Sequence, residues 1–158
     1  NWLYPRIKKN KTRFALIVPG GSLKRKYKRI PLEVYSNIIE FLLAKKIKPV
    51  LIGSIDDQQI CQALKKKYLT LDNLCNKTDF LKIAKLSKEA IISVGNDTGP
   101  MHLISRGNNP TIVFFTKFSN SKLCAPQGKN VFIVKYNYNN FLFGKKVIEQ
   151  IQRLIISQ

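Results

Sequence analysis

Short apolar runs recur along this chain with helix-patterned segments between them, and this alternation restricts the fold more than any other feature. Residues 13–18 read as a buried strand that Pro19-Gly20-Gly21-Ser22 breaks. Pro31 opens a helix to about Lys46, whose apolar positions Val34, Ile38, Ile39, Phe41 and Leu42 recur at helical spacing. Residues 48–52 form a second strand, 56–67 a second helix and 69–74 a short third strand. Thr78 or Asp79 caps the next helix, which carries Phe80, Leu81, Ile83, Ala84 and Leu86. Strands follow at 90–94, 110–115 and 131–134, with a short helix from Pro100 to about Ser105, an irregular stretch over 116–130 and a terminal helix over 141–157. Strands separated by helices and short turns build parallel sheets, so the sequence predicts one α/β domain, a Rossmann-like parallel sheet flanked by helices.

A chain of 158 residues is long enough for one such core. No apolar run reaches the roughly 18 residues needed to span a bilayer. The start, Asn1-Trp2-Leu3-Tyr4-Pro5, has neither an initiator Met nor a signal-peptide pattern and reads as cut from something longer. With 28 Lys and Arg against 9 Asp and Glu, the net charge of +19 favours anionic partners. Lys outnumbers Arg and Ile and Asn are abundant, so composition bias accounts for part of that excess. No Arg-and-aromatic module of the kind that reads nucleic acid is present, and no specific nucleic acid is expected. Cys61, Cys75 and Cys124 are odd in number and widely spaced, which argues against a disulfide framework and a zinc site and suits a reducing cytoplasm. His102, the single histidine, cannot build a histidine-rich metal centre.

Ligands of open α/β sheets bind beyond the C-terminal ends of the strands, and those ends carry the candidate site. Gly20 and Gly21 let backbone N–H groups approach an anion, and Ser22 adds a hydroxyl, although Pro-Gly-Gly also makes an ordinary loop. From Arg6 to Arg29 there are ten basic residues and no acid. Most of these lysines read as a solvated run, but Lys28 and Arg29 stand just before a helix N-terminus, where charge and dipole act together on a phosphate. The strongest segment is Asn96-Asp97-Thr98-Gly99-Pro100-Met101-His102, where a strand turns at once into a helix and the N–H groups at Thr98 and Gly99 form an anion pocket. A carboxylate beside a diphosphate would repel it, so Asp97 is expected to cap helix N–H groups or accept from a sugar or ribose hydroxyl. His102, one turn into the helix, is more often a structural residue than a catalyst. After the second strand, Ser54 or Asp56 serves as helix cap while Asp57 is placed to hold a ribose.

Taken together, Asn96-Asp97-Thr98-Gly99-Pro100-Met101-His102-Leu103, the Pro-Gly-Gly-Ser loop and the Lys28-Arg29-Ile30-Pro31 step resemble the ADP-heptose:lipopolysaccharide heptosyltransferases, the ninth family of glycosyltransferases. The resemblance runs from about Phe14 to Val134. It implies the C-terminal, nucleotide-sugar-binding half of a GT-B fold, in which two Rossmann-like domains face each other across a cleft. By position, Ser22 and Lys28 would contact the donor diphosphate and Asp57 the ribose. Residues 74–78, with Lys77 and Thr78, would edge the adenine pocket. Asp97, Thr98 and Gly99 would cradle the diphosphate and sugar, with Asn96, Met101 and His102 completing the motif.

The resemblance also implies inverting transfer to a lipopolysaccharide-core or lipid-linked glycan at the cytoplasmic face of the inner membrane. The N-terminal domain that supplies the acceptor site and the general base is absent from this chain, so no catalytic residue is expected in it. Neither a cofactor nor a metal is expected, because Lys28 and backbone amides can neutralise the diphosphate. Two positions depart from the pattern. A Gly-Pro-Thr turn is usual after the penultimate strand, where this chain has Phe115-Thr116-Lys117-Phe118, and an aromatic precedes the helix-opening proline, where it has Ile30. A basic polyanion-binding domain and a non-catalytic remnant of a split enzyme are the rival readings.

Overall fold

A computed structural model of the chain describes residues 12–137 and 142–158. The expected features at Asn1–Pro5, the basic residues from Arg6 to Lys11 and the start of the last helix at Phe141 lie outside the described residues.

Six parallel strands form one sheet in the order β3-β2-β1-β4-β5-β6. They are β1 (Phe14–Val18), β2 (Lys48–Leu51), β3 (Asp72–Asn73), β4 (Ile92–Asn96), β5 (Thr111–Phe115) and β6 (Val131–Lys135). The helices are α1 (Leu32–Ala44), α2 (Gln58–Lys67), α3 (Phe80–Glu89), α4 (Gly99–Ile104), α5 (Ser121–Cys124) and α6 (Phe143–Ile156). The central strands are apolar on both faces because helices cover both. Ala15 and Ile17 of β1, Ile92 and Val94 of β4, and Ile112 and Phe114 of β5 point into one core, closed by α1, α2 and α6. Leu16, Val18, Val113 and Phe115 point the other way, against Ile83 of α3 and Met101 and Ile104 of α4.

The helices seat themselves by the spacing of their apolar residues. Val34, Tyr35, Ile38, Ile39 and Leu42 form one buried stripe on α1, and Phe143, Val147 and Ile151 recur every fourth residue on α6. Phe114 touches both helices, with its ring 5.9 Å from that of Tyr35 and 5.9 Å from that of Phe143. Asp79 caps α3 by accepting from the Lys82 amide at 2.7 Å, which settles the choice between Thr78 and Asp79. No helix among the described residues is long and apolar enough to cross a membrane.

Several boundaries differ from the sequence expectation. The strand expected over 69–74 contracts to Asp72–Asn73, an edge position where a Lys48–Asp72 ion pair at 2.9 Å helps hold two short strands together. The strand expected over 90–94 is displaced two residues onward, so Gly95 and Asn96 belong to β4 rather than to the turn. Gly95 makes this possible. A Cβ there would stand 2.7 Å from Met101 Sδ and from Val18 Cβ, so only glycine lets β4 and α4 lie this close to β1. The stretch over 116–130 contains a helical turn, α5.

Candidate functional site

The chain winds to one side of the sheet from β1 to β3 and returns to the other side at β4, so the crevice beyond β1 and β4 is the topological switch point of the fold. A cavity of about 270 Å³ opens there, lined by the loop after β1 (Gly20, Gly21, Ser22), the short 3-10 stretch Leu23–Lys28 with Arg29 behind it, Ser54 and Asp57 after β2, and residues 96–100. Of the residues proposed from sequence, Gly20, Gly21, Ser22, Lys28, Asp57, Asn96, Asp97, Thr98 and Gly99 converge on it.

Asn96 sits at the back of the cavity with 1% of its surface exposed. Its amide nitrogen donates to the carbonyls of Pro19 and Gly20, each at 2.9 Å. Its amide oxygen accepts from the Tyr35 hydroxyl at 2.8 Å and from the Ile30 N–H at 3.4 Å. With donors and acceptor all engaged, Asn96 is a buckle between β4, the loop after β1 and α1, not a ligand contact. Burial pushes the Tyr35 phenol well above its ordinary range, so this ring stays a neutral donor.

Asp57 is likewise committed to the protein. One carboxylate oxygen accepts from the Gly21 N–H at 2.8 Å and from the Arg29 guanidinium at 3.3 Å, and the other accepts from the Ser54 N–H and hydroxyl at 2.8 and 3.0 Å. Of the two residues expected as caps, Ser54 takes the N-cap position and Asp56 does not, and the Asp57 carboxylate expected to face a ribose is engaged within the protein. Asp57 itself closes the reciprocal cap with Ser54, while Asp56 is exposed. Arg29 also donates to the Gly21 carbonyl, so Asp57 and Arg29 together clamp the loop after β1. Gly20 is required under this clamp, since a Cβ there would fall 1.9 Å from the Asp57 carboxylate oxygen.

Asp97 and Lys28 form the cavity's second ion pair, at 3.2 Å with side chains 7% and 17% exposed. The same Asp97 oxygen accepts from the Ser119 hydroxyl at 2.6 Å, and His102 Nε2 stands 3.9 Å from the other. Asp97 thus faces a cation and a hydroxyl instead of capping helix N–H groups, which resolves the electrostatic difficulty of a carboxylate in an anion pocket. α4 starts at Thr98 as cap and Gly99 as first residue, with Pro100 in the first turn where no N–H is needed. Arg29 Nε and Thr98 Oγ1 are buried without a hydrogen-bond partner among the described residues. Arg25, Lys28 and Arg29 set against Asp57 and Asp97 leave the lining cationic.

Four expected residues are not brought to this cavity. Met101 is fully buried beneath β4, a core residue of the second face. His102 is half exposed outside the lining. Lys77 and Thr78 lie on the loop after β3, also outside the lining; the Lys77 carbonyl accepts from Lys82 Nζ at 3.1 Å, and Thr78 Oγ1 is buried without a hydrogen-bond partner among the described residues. Sequence reasoning missed Tyr35, the Arg29 clamp and Ser119. The Ser54-x-x-Asp57 spacing signalled the reciprocal cap, but nothing local marks Tyr35 or Ser119, whose partners are 61 and 22 residues away. No group of three or more His, Cys, Asp or Glu side chains among the described residues is arranged to hold a metal ion.

Residues 5–149 match the family model described as glycosyltransferase family 9 (heptosyltransferase). No curated protein matches the chain significantly. Among solved structures, E. coli ADP-heptose lps heptosyltransferase II superimposes with a TM-score of 0.79 at 20% identity, over 94% of this chain and 48% of its own length. A family 9 glycosyl transferase from Veillonella parvula gives 0.81 at 16%, over 94% and 48%. E. coli heptosyltransferase WaaC with ADP gives 0.78 at 20%, over 94% and 46%. The chain thus spans about half the length of these structures, and at such identities the likeness shows the fold.

Proposed function

We propose, from the premise that this chain belongs to glycosyltransferase family 9, that it is the donor-binding domain of a glycosyltransferase and takes ADP-heptose or a related nucleotide sugar in the crevice beyond β1 and β4. The observation that carries this reading is the convergence of Ser22, Lys28 and the Asp97–Gly99 turn on one cationic cavity at the switch point. Ser22, Lys28 and the N–H groups at Thr98 and Gly99 receive the diphosphate. As Lys28 turns to the phosphates, Asp97 is released to accept from a hydroxyl of the transferred sugar, with Ser119 keeping its carboxylate in place. The loop around Lys77 and Thr78 edges the base.

Inverting transfer needs a general base on the acceptor hydroxyl and positive charge on the departing diphosphate. This chain supplies the second through Lys28, with Arg25 and Arg29 beside it. The base and the acceptor site belong to an N-terminal GT-B domain, and the acceptor is a lipid-linked glycan at the cytoplasmic face of the inner membrane. No cofactor or metal enters this scheme. Calorimetric titration with ADP, UDP and GDP at moderate salt, with Lys28→Ala as control, tests it. Selective ADP binding weakened by the substitution is expected. Equal binding of all three that vanishes as salt rises would replace this reading with general polyanion binding.

A further inference from the structure

Lys28 and Arg29 are adjacent in the chain but turn to opposite flanks of the crevice. Lys28 reaches Asp97 after β4 at 3.2 Å, and Arg29 reaches Asp57 after β2 at 3.3 Å. The two pairs differ in what a phosphate can do to them. The Lys28 ammonium is a point charge on a flexible stem, so an anion can draw it from Asp97. The Arg29 guanidinium is a rigid fork, and one terminal nitrogen of it donates to both the Gly21 carbonyl and the Asp57 carboxylate. Asp57 is anchored in turn, because its second oxygen accepts from the Ser54 N–H and hydroxyl. With the two side chains 13% and 7% exposed, little water is at hand to replace either partner.

The consequence falls on the loop after β1. Gly20 and Gly21 in succession allow many conformations, and a loop free to sample them would have to be ordered by its ligand. Here the Gly21 N–H donates to Asp57 at 2.8 Å and the Gly21 carbonyl accepts from Arg29, so the peptide groups on both sides of Gly21 are fixed before any ligand arrives. No peptide bond among the described residues is cis. In a trans peptide the C=O and N–H point opposite ways, so the Ser22 N–H is turned away from the guanidinium that donates to the Gly21 carbonyl. Ser22 lines the donor cavity, and Thr98 stands close across from Gly21, where a Cβ would lie 3.3 Å from Thr98 Cγ2. The clamp thus sets the loop against the start of α4.

We propose that Arg29 and Asp57 are positioning residues for the donor diphosphate: the pair holds Gly21 so that Ser22 meets the phosphates, and it acts through the loop rather than on the ligand. This rests on the donor-binding reading above. The test is calorimetric titration of ADP and of inorganic pyrophosphate into the chain, its Arg29→Lys and Asp57→Asn variants and the double variant, each checked for folding by far-UV circular dichroism. Arg29→Lys keeps the charge but loses the fork, Asp57→Asn keeps the shape but loses the charge, and pyrophosphate keeps the diphosphate but has no ribose. Each single substitution is expected to weaken both ligands by the same factor, about tenfold, as the loss of one charge-assisted hydrogen bond does. The double substitution is expected to weaken them no further than the more damaging single one. Full affinity in Arg29→Lys would overturn the proposal, since Arg29 would then act by charge alone. So would an Asp57→Asn chain that loses ADP but not pyrophosphate, which is the behaviour of a ribose contact, and so would additive losses in the double variant. If a variant does not fold, hydrogen exchange at the Gly21 amide of the unsubstituted chain decides: slow exchange without nucleotide is expected, and exchange at the rate of an open loop overturns the clamp. Binding of neither ligand by the unsubstituted chain, with the Gly21 amide still protected, would overturn the donor reading and with it the role given to the clamp.

Discussion

Replacing Asn96 by Ala tests the assignment of that residue as a buckle rather than a ligand contact. The substitution removes two donations to the Pro19 and Gly20 carbonyls and two acceptances, from the Tyr35 hydroxyl and the Ile30 N–H. Tyr35 retains the Val18 carbonyl at 3.3 Å, so its hydroxyl is not orphaned, whereas the Ile30 N–H is. At about 1 kcal/mol net for each of the short bonds, with a penalty of about 1–3 kcal/mol for one buried N–H, the loss comes to about 4–6 kcal/mol. Tyr35→Phe removes one donor and is expected to cost about 1 kcal/mol, because the Asn96 oxygen keeps Ile30. A double-mutant cycle in urea, followed by far-UV circular dichroism, then gives a coupling of about 1 kcal/mol. A loss below about 1 kcal/mol for Asn96→Ala, with no coupling to Tyr35, would refute the reasoning. So would a stable Asn96→Ala protein whose nucleotide affinity alone has fallen, since that is the behaviour of a residue that touches the ligand.

Gly20→Ala forces a methyl to within 1.9 Å of the Asp57 carboxylate and must open the clamp on the loop after β1. A loss of about 2 kcal/mol, read as a fall of several degrees in melting temperature, is expected. Lys46 ends α1 at φ 57°, a conformation that penalises any side chain, and Lys46→Gly should raise stability by about 0.5 kcal/mol in urea titration; no change would mean the strain is absent. Only exposed Cys124 should react with a thiol reagent in the native protein, with Cys61 and Cys75 reacting after unfolding. Burial raises both buried thiols, and Tyr35 is raised in the same way. In each case the neutral form is favoured in the folded state, so the thiol contribution is complete below the unfolded thiol value of about pH 8.5 and is lost as the pH rises past it, whereas the Tyr35 contribution is lost only above the unfolded phenol value of about pH 10. The urea midpoint should therefore fall on the alkaline side of about pH 8.5, and less steeply in Cys61→Ala.

The pattern of apolar runs and helical stripes was enough for the fold class, because a parallel sheet covered on both faces imposes continuous hydrophobicity on its strands and a one-sided stripe on its helices. The Asp97-Thr98-Gly99-Pro100 turn and the Pro-Gly-Gly-Ser loop were legible for a related reason, since glycine, proline and short polar residues act on the backbone where they stand. What the sequence could not decide was which polar groups had anything left to give a ligand. Asn96 and Asp57 look like ligand contacts when read along the chain, yet their hydrogen bonds reach partners up to 77 residues away. Met101 lies in the strongest motif but points into the core, because β4 ends later than its composition suggests and Gly95 draws α4 down onto it. Local propensity and periodicity determine which elements form and in what order. Only the tertiary structure, by spending each buried donor and acceptor on a particular distant partner, decides which residues at the strand ends hold the fold and which remain to meet a substrate.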